Sequence, residues 1–148
     1  LLAAKIPNVY MAISSDVGNP TDVHPLDKEI IGKRLANLVK QHSYNYAIQA
    51  NSPTPISYVK DNDGITIVFN NCQELKLANS HYIKDLAVID SLGNRVLITD
   101  SEILKNKVRI KEPETGARYL QYGYTSFTDG NLVSDTAVPV STFTLKLY

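Results

Sequence analysis

The sequence has no tryptophan, one cysteine and one methionine, and its charge is balanced. The single cysteine, Cys72, excludes an internal disulfide and a cysteine-rich zinc site. Fifteen Lys and Arg residues against fifteen Asp and Glu residues leave no net charge. This balance argues against a nucleic-acid partner, because such a partner is bound by clustered positive charge. No apolar run is long enough to cross a bilayer, so no membrane partner is expected.

What is present is the composition of a folded protein. Hydrophobic residues make up 43% of the chain and charged residues 20%. The length of 148 residues suits one domain, or one domain with a piece of another. The patterns along the chain favour the second arrangement.

Residues 1–43 are predicted to form a strand, a loop and a helix. The segment from Asn8 to Ile13 is mostly apolar on both faces, as in a strand of a parallel sheet covered by helices. The stretch from Ser14 to Pro25 is rich in turn formers and is predicted to be a loop. Pro25 is suited to be the first residue of the helix that follows. Apolar residues then recur at helical spacing, at Ile30, Ile31, Leu35, Leu38 and Val39.

One strand and one helix cannot bury their apolar faces against each other alone. We therefore interpret residues 1–43 as the last βα unit of a larger α/β domain, and the chain, which opens without methionine, as a piece of a longer protein. Gly32 weakens the helix, and close packing against a neighbouring strand is the expected compensation.

The remainder of the chain changes character. Residues 44–55 are polar, contain two prolines and are predicted to be a linker. Residues 56–148 show apolar residues at a period of two, with turn sequences at short intervals, and Asp63-Gly64 indicates a hairpin. We predict about seven to nine short strands in an antiparallel β-sandwich or jelly roll. The predicted fold class is thus an α+β fragment.

The loop between the first strand and the helix carries the candidate chemistry, in Asp16, Asp22 and His24. Open α/β sheets place functional groups at the carboxyl ends of their strands. A histidine held by a carboxylate can take the proton of a nucleophilic serine and return it to a leaving alcohol. The residues alone leave an alternative open, in which His24 is a surface residue and Asp22 or Asp16 caps the helix.

The residues around His24 resemble the last motif of the sialate O-acetylesterases, which belong to the SGNH hydrolase superfamily. That motif reads approximately Asp-Ile-Gly-x-x-x-Asp-Ile-His-Pro-x-x-Lys, followed by Gly-x-Arg-Leu. The end of the chain resembles the closing pattern of the same family at Ala117-Arg118-Tyr119, at Asn131-Leu132 and from Val138-Pro139 to Phe143. The motif positions matched here are Asp16, Gly18, Asp22, His24, Pro25, Lys28, Gly32, Arg34 and Leu35.

The resemblance implies a flavodoxin-like catalytic domain followed by a β-rich domain, and a serine hydrolase that removes O-acetyl groups from sialic acid or a related sugar. It implies that His24 is the catalytic base and acid and that Asp22 orients it, with Asp16 in reserve. The superfamily usually carries this acid three residues before the histidine, where Thr21 stands here. The family's nucleophile and oxyanion hole cannot be located in this chain, and Ser14 and Ser15 are better explained as turn residues.

The expected partners are therefore an acetylated sugar and a missing N-terminal catalytic segment, without which the chain should be inactive. Family members commonly act outside the cytoplasm, so a periplasmic or secreted location is expected. No cofactor is expected, and His42 and His81 lack the spacing of metal ligands. Two alternatives stay open: a non-catalytic β-sandwich that binds carbohydrate or docks another domain, and a split enzyme completed by a separate chain.

The nine tyrosines allow two interpretations. Exposed tyrosines can stack on sugar rings, and this would suit a glycan-binding face. Tyrosine also favours the half-buried surface of a strand, and this second interpretation explains most strand tyrosines.

Overall fold

The computed structural model of the chain describes residues 6–22, 24 and 27–147. In this part of the chain, one short 3-10 turn, Ser15–Val17, precedes one α-helix, α1, Glu29–Ser43, and ten strands follow. The strands are β1 Pro55–Asp61, β2 Gly64–Phe69, β3 Leu75–Leu77, β4 Leu86–Ile89, β5 Arg95–Leu97, β6 Ser101–Leu104, β7 Lys107–Ile110, β8 Tyr119–Tyr122, β9 Leu132–Ser134 and β10 Phe143–Lys146. None of the helices in the described part of the chain is long and apolar enough to span a membrane.

The predicted strand from Asn8 to Ile13 is not formed, and this prediction was wrong for the chain as it stands. The segment has no ladder of hydrogen bonds to another strand among the described residues, and Val9, Tyr10 and Met11 are exposed. Ile13 alone of this segment is buried. A strand exists only when a neighbour satisfies its N–H and C=O groups, and none of the described strands pairs with this segment.

Helix α1 begins at Glu29. The Asp27 carboxylate accepts hydrogen bonds from the backbone N–H groups of Glu29, at 3.1 Å, and Ile30, at 3.3 Å. Asp27 therefore caps the start of α1, and the alternative interpretation, in which Asp22 or Asp16 caps it, is wrong. The predicted helix start at Pro25 and Leu26 lies outside the described residues.

The face of α1 that the sequence marks as apolar is largely uncovered. Leu38 is buried, whereas Leu35 and Val39 are 50% and 48% exposed. The expected close packing of Gly32 is also absent from the described structure, because nothing lies within 4 Å of the position that a Cβ atom would take there. An apolar helical stripe of this kind is normally covered by a sheet or another helix.

The strands form two four-stranded antiparallel sheets and one two-stranded sheet. The first sheet has the order β1-β2-β7-β6 and the second the order β10-β8-β4-β5, while β3 pairs with β9. The predicted hairpin at Asp63-Gly64 is confirmed, since β1 and β2 pair antiparallel with Asp61 opposite Gly64. The strands β3 and β9 were not predicted from the sequence.

One apolar core lies between the sheets and makes them a β-sandwich. Alternate residues of the first sheet contribute Ile65, Ile67 and Phe69, which are essentially inaccessible to solvent. Val88 and Leu120 of the second sheet belong to the same cluster. Alternation with a period of two is thus the cause of the layered fold, as the sequence predicts. Other members of the cluster are Leu75, Ile83, Leu86, Val108, Ile110, Tyr122, Leu132, Val140, Phe143 and Leu147.

The predicted linker, residues 44–55, contains no helix and no strand except at Pro55. It is hydrogen-bonded to the helix that precedes it and to the sandwich that follows it. The Gln41 side chain accepts a hydrogen bond from the Ala50 N–H at 2.7 Å, and the Gln49 amide donates to the Asn71 carbonyl at 2.9 Å. Pro53 is fully buried. The segment is therefore hydrogen-bonded to helix α1 through Ala50 and to the sandwich through Gln49.

Candidate functional site

The loop that precedes α1 is fixed to the helix by Arg34. Its Nη1 donates to the Ile13 carbonyl at 2.7 Å and to Asp16 Oδ1 at 2.7 Å, and its Nη2 donates to Asp16 Oδ2 at 2.6 Å. A guanidinium fork that meets both oxygens of a carboxylate defines geometry as well as energy. Arg34 thereby positions the start of the loop.

The middle of the loop is held by its own side chains. The 3-10 turn is closed by the Val17 N–H, which donates to the Ser14 carbonyl at 3.2 Å. Asn19 Oδ1 accepts hydrogen bonds from the Thr21 N–H and hydroxyl, both at 2.9 Å, and from the Asp22 N–H at 3.2 Å. An asparagine that bonds to the backbone two and three residues ahead stabilises a turn. This turn places Asp22 beside His24.

Asp22 and His24 are in direct contact. Asp22 Oδ1 lies 3.1 Å from His24 Nδ1 and also accepts the His24 backbone N–H at 2.8 Å. The same oxygen therefore fixes both the backbone and the ring of His24. With Nδ1 held by a carboxylate, Nε2 is the nitrogen that can exchange a proton with a substrate or nucleophile.

Of the two predicted carboxylates, the structure brings Asp22 to the histidine and places Asp16 elsewhere. Both oxygens of Asp16 are bound to Arg34, so Asp16 supports the loop. Ser14 and Ser15 make no hydrogen bond to His24 among the described residues. Pro25 of the same motif lies outside the described residues.

The side chains of Asp22 and His24 are open to solvent in this chain. The His24 side chain is 81% exposed and that of Asp22 is 52% exposed. Electrostatic interactions are stronger where water is excluded, so solvent screens the contact between Asp22 and His24 in this chain.

The turn after β8 lies beside this loop, and its position was not predicted from the sequence. A groove lies between the loop and the turn after β8, where Asp22, Gly18 and Ser15 face Thr125 and Phe127. The Phe127 ring packs against Gly18, with Cδ2 3.6 Å from the position of a Cβ atom on that glycine. The sequence places an aromatic residue among turn formers here, and such an exposed aromatic was the available indication.

His42, His81 and the tyrosines of the described ranges do not line this groove. Tyr10 stacks on the His42 ring, with centroids 3.6 Å apart, and His42 Nε2 is 2.9 Å from Asn51 Oδ1. Tyr122 belongs to the core, where its hydroxyl accepts the Leu132 N–H at 2.8 Å and burial raises its pKa. No group of three or more His, Cys, Asp and Glu side chains in the described ranges could hold a metal ion.

The chain is similar to part of a solved structure and has no match among family models. No protein-family model matches the sequence, and no curated protein matches it. Among solved structures, the crystal structure of a novel carbohydrate acetylesterase from Xanthomonas citri is similar, with a TM-score of 0.83 and 23% identical residues. The match covers 93% of this chain and 32% of that chain, so this chain spans about a third of the length of that protein. The chain shares its fold with one part of a carbohydrate acetylesterase.

Proposed function

We propose that this chain is the C-terminal part of a carbohydrate O-acetylesterase, a serine hydrolase of the sialate-type SGNH group. His24 is its general base and acid, and Asp22 is the carboxylate that orients His24. The contact between Asp22 Oδ1 and His24 Nδ1 at 3.1 Å carries the proposal. Two further observations support it: the order of the motif residues in the sequence, and the shared fold with part of a carbohydrate acetylesterase.

The proposed reaction proceeds in two steps. A serine Oγ supplied by a preceding segment attacks the acetyl carbonyl, and His24 Nε2 takes the serine proton. The C–O bond to the sugar breaks, and His24 gives that proton to the departing sugar oxygen. A water molecule, deprotonated by His24, then attacks the acetyl-enzyme. The C–O bond to the serine breaks, His24 returns the proton to the serine Oγ, and acetate is released. Asp22 stabilises the imidazolium in both steps.

The uncovered face of α1 supports the presence of a preceding segment. Leu35 and Val39 expose apolar side chains on the helix, and Val9, Tyr10 and Met11 expose theirs on the segment before the loop. A parallel sheet from the catalytic domain would cover the helical face and pair with residues 8–13 as an edge strand. Contact with the catalytic domain would also exclude water from Asp22 and His24.

The test is esterase activity of the full-length protein that contains this chain. We expect it to hydrolyse 4-nitrophenyl acetate and an O-acetylated sugar, and we expect this chain alone to be inactive. His24→Ala should abolish both activities, whereas His81→Ala, on a histidine outside the site, should leave them unchanged. Turnover by the isolated chain, or full activity of His24→Ala, would refute the proposal.

The shared fold leaves a non-catalytic carbohydrate-binding or docking sandwich as the alternative outcome. That outcome is indicated if the full-length protein binds sugars but hydrolyses neither ester. Comparing O-acetylated sialic acid with O-acetylated neutral sugars as substrates tests the sialate assignment. A periplasmic or secreted location, which the family resemblance suggests, is tested by fractionation of the native cells.

A further inference from the structure

The groove beside Asp22 has one wall from each half of the chain. Ser15, Gly18 and Asn19 belong to the loop before α1, and Thr125 and Phe127 belong to the turn between β8 and β9. The sandwich therefore lines the same groove as Asp22, the carboxylate proposed to orient the catalytic histidine. A sandwich that only tethered the catalytic domain would not need this contact.

The sandwich wall is held in place by Asp85. One carboxylate oxygen of Asp85 accepts the Thr125 hydroxyl at 2.9 Å, and the other is bound by Arg95 Nη2 at 2.6 Å. The Asp85 carbonyl accepts the Gly123 N–H at 3.1 Å. Gly123 has a φ of 62°, and a Cβ atom there would lie 2.7 Å from Thr142 Cγ2, so the turn leaves no space for a side chain at this point. The wall is preorganised.

The chemistry of the groove fits a sugar ring. Its lining offers hydroxyl and amide groups from Ser15, Asn19 and Thr128, one carboxylate from Asp22, and no Lys or Arg side chain. Phe127 is 40% exposed and adds an apolar aromatic surface. Sugar rings combine apolar C–H faces with hydroxyl groups, and small-molecule sites pair an apolar surface with a few placed polar groups in this way.

We propose that the turn of residues 123–128 forms part of the substrate site and that Phe127 determines specificity by stacking on the sugar ring that carries the acetyl group. This inference rests on the proposed function and extends it to the sandwich. Phe127 takes no part in the chemical step, since that step involves His24, Asp22 and the serine.

The experiment compares two substrates of the full-length protein, an O-acetylated monosaccharide and 4-nitrophenyl acetate, which has no sugar. Phe127→Leu keeps an apolar contact with Gly18 but removes the aromatic face. We expect the ratio of kcat/KM for the sugar ester to kcat/KM for the nitrophenyl ester to fall about tenfold, mainly through KM. Phe127→Tyr keeps the ring and should preserve the ratio. Tyr124→Ala, on the exposed neighbour outside the groove, is the matched control.

The outcomes separate this inference from the proposed function. An unchanged ratio in Phe127→Leu overturns the inference and leaves the esterase assignment intact. An equal loss on both substrates also overturns it, because Phe127 would then only support the loop. A wild-type protein that hydrolyses neither ester overturns the proposed function itself.

Discussion

Arg34 holds the Asp16 carboxylate in a two-point ion pair, with Nη1 2.7 Å from Oδ1 and Nη2 2.6 Å from Oδ2. The two side chains are 14% and 24% exposed, so water screens this pair less than a surface pair. Both carboxylate oxygens of Asp16 are therefore bound to a side chain of helix α1. Asp22 contacts His24 instead, so under the proposed function Asp22 is the carboxylate that orients the histidine and Asp16 is not.

The two aspartates should differ in kinetics. In the full-length protein, Asp22→Asn should lower kcat by up to about 10,000-fold, because the amide no longer selects the histidine tautomer. Asp16→Asn should cost much less, since it acts through the position of the loop. Steady-state kinetics on 4-nitrophenyl acetate distinguish them. The assignment of Asp22 is wrong if Asp16→Asn causes the larger loss.

Replacement of Arg34 should reduce the stability of this chain. Arg34→Lys cannot supply two parallel bonds to Asp16 together with the bond to the Ile13 carbonyl. We expect the free energy of unfolding to fall by about 1–3 kcal/mol, measured by urea titration. Lys33→Ala is the matched control, because Lys33 forms an exposed i,i+4 pair with Glu29. Equal effects of the two variants would contradict the importance of the Arg34 contact.

Two glycines should respond to alanine in opposite directions. Gly64 has a φ of 146°, and a Cβ atom there would collide with the Ile110 carbonyl oxygen, so Gly64→Ala should destabilise the chain by about 1–3 kcal/mol. Gly32 lies in α1 with open space around it. Gly32→Ala should stabilise the isolated chain by about 0.5–1 kcal/mol. Thermal unfolding measures both, and a tolerated Gly64→Ala would contradict the hairpin geometry.

The Asp90 carboxylate should contribute to acid sensitivity. Burial raises its pKa, but hydrogen bonds from the Asn94 N–H and side chain and from the Leu92 N–H outweigh burial, and the pKa lies below its ordinary 3.8. A lowered folded-state pKa contributes stability above about pH 4, and this contribution is lost as the pH falls through the folded-state value.

Asp90→Asn should therefore be less stable than the wild type near neutral pH, and the difference should shrink as the pH falls below about 4. Urea titrations at about pH 7 and about pH 3 measure the two differences. Ser91→Ala, in the same turn, should not show this pH dependence. A difference between Asp90→Asn and the wild type that stays constant with pH would rule out the role of the carboxylate charge.

The sandwich could be predicted from the sequence because its determinants are local. Ile65, Ile67 and Phe69 occupy alternate positions and so share one face of a strand, and Asp63-Gly64 marks the turn before them. The short strands β3 and β9 escaped prediction, since each has three residues and no alternation long enough to recognise. Their pairing depends on contacts between Leu75 and Ser134, which are far apart in the sequence.

The segment of residues 8–13 shows where local pattern fails. Its composition is that of a buried strand, but strand formation depends on a partner outside the segment. Spacing on the loop left both Asp22 and Asp16 within reach of His24. The choice between them depends on how α1 packs against that loop, because this packing brings Arg34 to Asp16. The approach of Phe127 to Gly18 depends on how the sandwich packs against the loop before α1. It could not be predicted from the local sequence of either segment.

The most direct test of the account is labelling of the full-length protein with an organophosphonate ester that reacts with activated serines. We predict rapid labelling of one serine in the segment that precedes this chain, and its loss in His24→Ala, because His24 is the base that activates this serine. Labelling that proceeds at the same rate in His24→Ala, or that falls on a serine of this chain, would contradict the account.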